Sequence, residues 1–290
     1  MRNFATLLLT VALAACGSAA PAAPQAKPAM WKLSDPDTTI YLFGTVHVLP
    51  DDLKWRTPRF DQTVGQAKEL VLEINDQDDK TKVAEVYRRL ALSPGLPPIL
   101  DRVPDSKRAA LAAAIGKAGL KPEQLDHMET WAVAVTIGAS MYAGMGASAD
   151  NGVENQLRNA FKGRPVEGLE TTEQQLGYFD TMPEATQRKL LVSMIDDVKN
   201  ASADFRKMLT AWSSGDTGAI ARTFDDELKK APEIAHVLID QRNANWVDWL
   251  KQRLDQPGTV LVAVGAGHLA GNGSVIDLLR KQGLKVERVQ

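Results

Sequence analysis

The sequence has very little cysteine and no excess of charge of either sign. Cys16 is the only cysteine in 290 residues, so a disulfide within the chain is excluded. The 34 lysines and arginines are balanced by 36 aspartates and glutamates, which leaves a formal net charge of −2. Because a protein that binds DNA or RNA usually needs a basic surface to neutralise phosphates, the composition predicts no nucleic-acid partner.

Long hydrophobic runs are also scarce. The apolar run from Leu7 to Ala15 is too short to cross a membrane comfortably, and it ends in "LAAC". This pattern is typical of a bacterial lipoprotein signal, with residues 1–15 removed and lipid, including palmitate, attached at Cys16. The alternative is a plain secretory signal with an incidental cysteine. Gly17 differs from the aspartate of an inner-membrane retention signal. We therefore expect a lipid anchor in the cell envelope, at the periplasmic face of the outer membrane in a Gram-negative organism.

Residues 16–30 are rich in alanine and proline and cannot build a core, so we interpret them as a tether. Residues 31–290 are expected to form one domain. Strand patterns at 39–43, 69–75, 164–170 and 258–268 alternate with mostly helical stretches at about 80–162 and 172–254. The predicted fold class is α/β, with a mixed or parallel central sheet and a large helical insertion.

Two segments repeat the same order of residues. "YLFGTVH" and "VAVGAGH" each have an apolar strand, a glycine, two residues and a histidine, which gives Gly44 with His47 and Gly265 with His268. Glu73 ends another apolar strand, "LVLEI". Ligands of open α/β sheets bind at the carboxyl ends of strands, so these side chains are expected to meet at one sheet edge. Two imidazoles and a carboxylate are a plausible ligand set for a divalent cation that also binds water.

The chain resembles the TraB/GumN family, which includes pheromone-shutdown proteins and the membrane-associated Tiki proteases. The motifs that carry the resemblance are "YLFGTVHVLP", "LVLEIN", "VEGLETTEQQL", "RNANW" and "VAVGAGHLAG", with the residues Gly44, His47, Glu73, Glu170, Arg242, Asn243, Gly265 and His268. The resemblance covers residues 31–290. It implies a metal-dependent hydrolase that acts on a peptide or protein, with His47, His268 and Glu73 as ligands of manganese, cobalt or zinc.

Several roles stay open at this stage. Glu73 either binds metal or acts as a general base. Arg242 is expected to steady the substrate or to form a structural ion pair, and it shares a helix face with Trp246. Glu170 and Asn243 are candidates for residues that support the site. Glu154 is placed near the cleft by the resemblance alone.

Two other functions remain as alternatives. One is a metal-free hydrolase in which His47 is the base, polarised by Glu73, as similarity to distant erythromycin esterases implies. The other is a non-catalytic envelope protein that binds a peptide, a metal or haem, as similarity to ChaN-like proteins implies.

Overall fold

The computed structural model describes residues 26–197, 200–228 and 231–290. The predicted signal peptide, the predicted lipidation site Cys16 and most of the predicted tether lie outside these ranges. Within the described ranges, no helix is both long enough and apolar enough to span a membrane.

Eight strands and twelve α-helices occur in the described residues. The strands are β1 Met30–Ser34, β2 Thr38–Thr45, β3 Leu49–Pro50, β4 Glu69–Ile74, β5 Ala147–Ser148, β6 Val166–Glu170, β7 Gly258–Gly265 and β8 Val286–Arg288. The helices are α1 Pro58–Gln66, α2 Lys80–Ala91, α3 Asp105–Lys117, α4 Thr130–Ala143, α5 Val153–Ala160, α6 Thr172–Asp180, α7 Glu184–Asp197, α8 Ala201–Ser214, α9 Thr217–Leu228, α10 Pro232–Ala235, α11 Gln241–Leu254 and α12 Val275–Lys281. A π-helical turn, His236–Asp240, precedes α11, and a 3-10 turn, Ala266–Leu269, follows β7.

Six strands form one mixed sheet in the order β6-β4-β7-β2-β1-β8. The four strands β6, β4, β7 and β2 are parallel, whereas β1 pairs antiparallel with both β2 and β8. The predicted α/β class with a mixed sheet is therefore confirmed. The crossover from β2 through α1 to β4 is parallel, but β7 lies between these two strands and pairs with both.

Alternate residues of the central strands pack into two different cores. Tyr41 and Phe43 of β2 belong to the core on one face of the sheet, whereas Ile40 and Leu42 belong to the core on the other. Both faces are covered, which explains why these strands are almost continuously apolar in sequence. A further core, which includes Ile99, joins α3, α4 and α7 away from the sheet.

The boundary between tether and domain differs from the predicted one. β1 begins at Met30, and Ala26 and Ala29 are already buried. The folded part thus includes the last residues of the segment interpreted as tether. Alanine and proline made this stretch look unstructured, but small apolar side chains can pack against a larger core when a neighbouring strand fixes their position.

Candidate functional site

The two Gly-x-x-His segments lie side by side because β2 and β7 are neighbours in the sheet. Thr45 pairs with Gly265 where both strands end. A Cβ atom added at Gly44 would lie 3.0 Å from Cα of Ala266, so the glycine lets the two loops come into direct contact. The predicted meeting of the two repeats at one sheet edge is confirmed. We call this edge, formed by the carboxyl ends of β2, β4, β6 and β7, the site edge.

Glu73 reaches the site edge from β4, on the other side of β7. Its Oε1 accepts a hydrogen bond of 2.7 Å from the backbone N–H of Gly265. Its Oε2 accepts bonds from Arg242 Nη2 at 2.6 Å and from Gln175 Nε2 at 3.1 Å. A Cβ at Gly265 would lie 3.1 Å from Oε1 of Glu73, so this glycine allows the carboxylate to approach the loop. Both oxygens of the buried Glu73 are thus occupied by donors.

Arg242 is the central cation of the buried part of the site. Its guanidinium donates to Glu170 Oε1 at 2.9 Å, and its Nη1 lies 3.2 Å from His268 Nε2. Nη1 also donates to the carbonyl of Leu238 at 3.3 Å, a group in the π-helical turn just before α11. Arg242 and Trp246 are both buried, as their spacing of four on one helix predicts. The arginine therefore forms the ion pair considered at the sequence level, and it does so with Glu73 and Glu170 together.

His268 is held in one tautomer by its neighbours. Its Nδ1 lies 2.7 Å from Oδ1 of Asn243, whose amide nitrogen donates to the carbonyl of Gly273. Arginine can only donate, so Nε2 of His268 must accept from Arg242, and Nδ1 must carry the proton. The Trp246 ring packs against the imidazole at a centroid distance of 4.5 Å. His268 is therefore a buried, neutral imidazole with its Nε2 lone pair directed at the guanidinium.

His47 is the exposed member of the site. Its side chain is 70% exposed, and its Nδ1 lies 2.8 Å from Oε1 of Glu154 on α5. α5 is fixed against the His47 loop, because Val153 N–H donates to the carbonyl of Val46. A Cβ at Gly152 would lie 2.1 Å from the carbonyl oxygen of His47, so only glycine fits at the start of this helix.

The pKa values of the site residues follow from these contacts. The hydrogen bond to Glu154 raises the pKa of His47 to about 9. Burial lowers the pKa of His268 to about 4. Burial alone would raise the pKa of Glu73, but the charges of His268, Arg242 and His47 lower it to about 2. His268 already carries a proton at the low pH where Glu73 titrates, so its charge does act on that carboxylate.

The structure brings the predicted site residues together, but their side chains have different partners from those expected from the sequence. The hydrogen-bond partner of His47 is Glu154. The metal-free alternative in which Glu73 polarises His47 remains a prediction. The charges of Glu73 and Arg242 also act on the pKa of His47. Gln175 is a partner of Glu73 that the sequence reasoning did not single out. It lies in the quoted motif "VEGLETTEQQL", on a helix that starts directly after β6.

A three-ligand metal centre is not formed by this arrangement. Within residues 26–197, 200–228 and 231–290, no three His, Cys, Asp or Glu side chains are placed to hold one ion. The physical reason is that Glu73 is turned towards Arg242, and Arg242 also occupies Nε2 of His268. The Nε2 atoms of His47 and His268 fit a metal better than the carboxylate of Glu73 does. An oxygen partner on each Nδ1 fixes the imidazole ring. The metal centre implied by the resemblance remains a prediction.

A family model and uncharacterized relatives match most of the chain. A family model described as the TraB/PrgY/gumN family matches residues 29–288. The uncharacterized protein YbaP of Escherichia coli (strain K12) is 25% identical over 244 residues, covering 83% of this chain and 87% of YbaP. An uncharacterized protein of Treponema pallidum (strain Nichols) is 24% identical over 271 residues, covering 88% of this chain and 80% of that protein. No solved structure matches significantly.

Proposed function

The chain belongs to the TraB/PrgY/gumN family, and we propose that it is a hydrolase in which His47 and Glu154 activate water. The observation that carries the proposal is the 2.8 Å contact between Nδ1 of His47 and Oε1 of Glu154 at an exposed position. A carboxylate that holds Nδ1–H leaves Nε2 free to accept a proton, which is the arrangement of a general base. The family resemblance points to a peptide or protein as the substrate.

The reaction needs only water and the acyl substrate. Nε2 of neutral His47 takes a proton from a water molecule, and the water oxygen attacks the carbonyl carbon. The proton then passes from His47 to the leaving amine or alcohol as the acyl bond breaks. Glu154 stabilises the imidazolium that forms between these steps. Because the pKa of His47 is raised, the base form becomes dominant only in alkaline solution.

The buried residues support this pair. Arg242 forms ion pairs with Glu73 and Glu170, and it fixes His268 through Nε2. All three guanidinium nitrogens already have partners, so Arg242 acts through its neighbours unless the substrate displaces one of them. We therefore assign Arg242 a positioning role, where the sequence left open a role in steadying the substrate and a structural ion pair.

A metal-dependent hydrolase is the second candidate, and two observations favour it. Glu73, Glu154 and Glu170 bring three carboxylates to a site with one guanidinium, so with neutral histidines a divalent cation would balance the remaining negative charge. The anchored Nδ1 atoms also leave Nε2 of His47 and His268 as donors, although His268 must first be released by Arg242. A bound cation would supply a more acidic water molecule.

Turnover measurements separate the candidates. The purified protein is incubated with peptide and ester libraries, with and without a chelator. Hydrolysis that persists under chelation supports the His47–Glu154 base, whereas loss of hydrolysis that is restored by manganese, cobalt or zinc supports the metal. A stoichiometric ligand without any cleavage would instead favour the non-catalytic binding protein.

We also propose that the protein is anchored in the cell envelope by lipid at Cys16. Support comes from the apolar run that ends in "LAAC" and from the tether sequence that follows it. Mass spectrometry of the membrane-extracted protein should show an acylated N-terminal cysteine. The Cys16→Ser variant should lose both the lipid and the membrane association.

A further inference from the structure

An arginine of α5 contacts the end of the strand that carries Glu73. Arg158 lies one helical turn after Glu154, so both side chains are on the same face of α5. Its Nη2 donates to the carbonyl of Ile74 at 2.7 Å, and its Nη1 donates to Oδ1 of Asn75. Ile74 and Asn75 directly follow Glu73 in the sequence. Arg158 therefore connects the helix of Glu154 with the strand of Glu73.

Asn75 is itself fixed against a third element. A Cβ at Gly168 of β6 would lie 2.8 Å from the backbone nitrogen of Asn75, so the glycine lets the chain after β4 pass this closely over β6. Nδ2 of Asn75 donates to the carbonyl of Val166 in β6 at 2.5 Å. The amide oxygen is then the atom that accepts from Arg158. We call Arg158 and Asn75 the α5 clamp.

Glu154 lies between two polar contacts that hold α5. At the start of the helix, Val153 N–H donates to the carbonyl of Val46 at 3.2 Å, and the α5 clamp binds the helix one turn later. Leu157 also packs into the core, but apolar packing has no preferred direction. One polar contact fixes where the helix begins, and the second fixes the direction of its axis. The position of the Glu154 carboxylate therefore depends on both.

We propose that the α5 clamp is a positioning unit for the proposed general base. It holds Glu154 against His47, and so keeps Nε2 of His47 directed at the water molecule that attacks the substrate. This inference rests on the proposed hydrolase. Both Nη atoms of Arg158 are bound to oxygens of the chain, so Arg158 acts through Glu154 and does not contact the reacting atoms.

The nitrogen chemical shift of His47 Nδ1 tests the clamp without any reaction. It is measured at neutral pH in protein labelled at histidine, through the carbon-bound ring protons, and is assigned by its absence in His47→Gln. Glu154→Gln supplies the shift of an imidazole that has lost its carboxylate partner. Arg158→Met removes both donors of the clamp while keeping most of the side-chain length.

Arg164→Met is the matched control. Arg164 is also half-buried and also donates to carbonyl oxygens, those of Val64 and Ala67. These contacts lie just before β4 begins, at the end of the sheet opposite to the site edge. Loss of Arg164 should loosen the fold without reaching Glu154.

Arg158→Met should move the Nδ1 shift of His47 at least about halfway from the wild-type value to that of Glu154→Gln. It should also lower kcat by about 10- to 100-fold with KM within about twofold, because a misplaced base affects the chemical step more than binding. Arg164→Met should keep the wild-type Nδ1 shift and kcat.

Two variants of Asn75 test the clamp with Arg158 in place. Asn75→Asp keeps an oxygen for the guanidinium and should keep the wild-type Nδ1 shift. Asn75→Leu removes that oxygen and should move the shift in the same direction as Arg158→Met. If Arg158→Met does not fold, the contrast between these two variants decides the matter.

The outcomes separate the clamp from the hydrolase. A wild-type Nδ1 shift in Asn75→Leu and in any folded Arg158→Met would overturn the clamp and leave the proposed hydrolase standing. Equal changes in Arg158→Met and Arg164→Met would also overturn it, because they would indicate a general loosening of α5. A wild-type shift equal to that of Glu154→Gln would overturn the His47–Glu154 pair, and the clamp with it.

Discussion

Nδ1 of His47 lies 2.8 Å from Oε1 of Glu154, although 107 residues separate the two in sequence. β2 delivers the histidine and α5 delivers the glutamate, and the backbone contact between Val153 and Val46 holds the two elements together. The pair stands at the rim of a buried cluster in which Arg242 joins Glu73 and Glu170.

The Glu154→Gln substitution should lower the pKa of His47 from about 9 towards its ordinary value of 6.5, because the hydrogen bond to the carboxylate is the main cause of the shift. The pair stabilises the fold below pH 6.5, and this contribution is lost as the pH rises through about 9. NMR titration of the imidazole measures the change. In parallel, the rising limb of kcat/KM, which reports the deprotonation of His47, should move to lower pH. An unchanged titration would show that Glu154 does not control His47.

The Arg242→Met substitution should destabilise the protein by about 3–5 kcal/mol, because it leaves two buried carboxylates without a cation. The free energy of unfolding in urea measures the effect. Arg89→Met is the matched control, since Arg89 pairs with Glu173 and both side chains are 55% exposed. It should cost less than about 1 kcal/mol. Similar losses in the two variants would contradict the buried ion-pair network.

The Gly152→Ala substitution should displace the His47 loop, because the added Cβ would lie 2.1 Å from the carbonyl oxygen of His47. We expect a loss of about 1–3 kcal/mol in unfolding free energy together with a fall in the pKa of His47. Gly65→Ala is the control: it lies in α1 with no atom within 4 Å of the new Cβ. That variant should be as stable as the wild type or more stable. Wild-type titration of His47 in Gly152→Ala would refute the packing argument.

Acid should weaken the fold through His268. Its pKa is about 4 in the folded protein against an ordinary value of 6.5, so between these pH values the unfolded chain binds more protons. Stability should therefore rise with pH across this window, by up to about 1.4 kcal/mol per pH unit. The slope should shrink in His268→Gln and persist in His236→Gln, whose imidazole is exposed. Urea unfolding at several pH values measures it, and equal slopes in both variants would argue against a buried neutral His268.

Much of this site could be predicted from sequence because strand ends and repeated motifs are local signals. Gly44, His47, Gly265 and His268 share a pattern that places them at one sheet edge, and the apolar surroundings of Glu73 indicate a buried carboxylate. The spacing of Arg242 and Trp246 likewise predicts one inward helix face. Each of these inferences needs only the spacing of residues along the sequence and the direction of a strand.

The pairing of the charged groups could not be predicted in the same way. Whether His47 meets Glu73 or Glu154 depends on the position of α5, which is set by the backbone contact at Gly152. Whether Glu73 faces a metal or Arg242 depends on the π-helical turn before α11, whose Leu238 carbonyl binds the guanidinium. The contacts of His47 with Glu154 and of Glu73 with Arg242 are long-range, and a single sequence carries no period or spacing that reports them.

The most direct test of the His47–Glu154 base is kcat/KM for peptide or ester hydrolysis by His47→Gln and His127→Gln, the latter being an exposed histidine on the helical side of the molecule. The account predicts a fall on the order of 100- to 10,000-fold for His47→Gln, with its fold intact, and wild-type kcat/KM for His127→Gln. Undiminished hydrolysis by His47→Gln would contradict it.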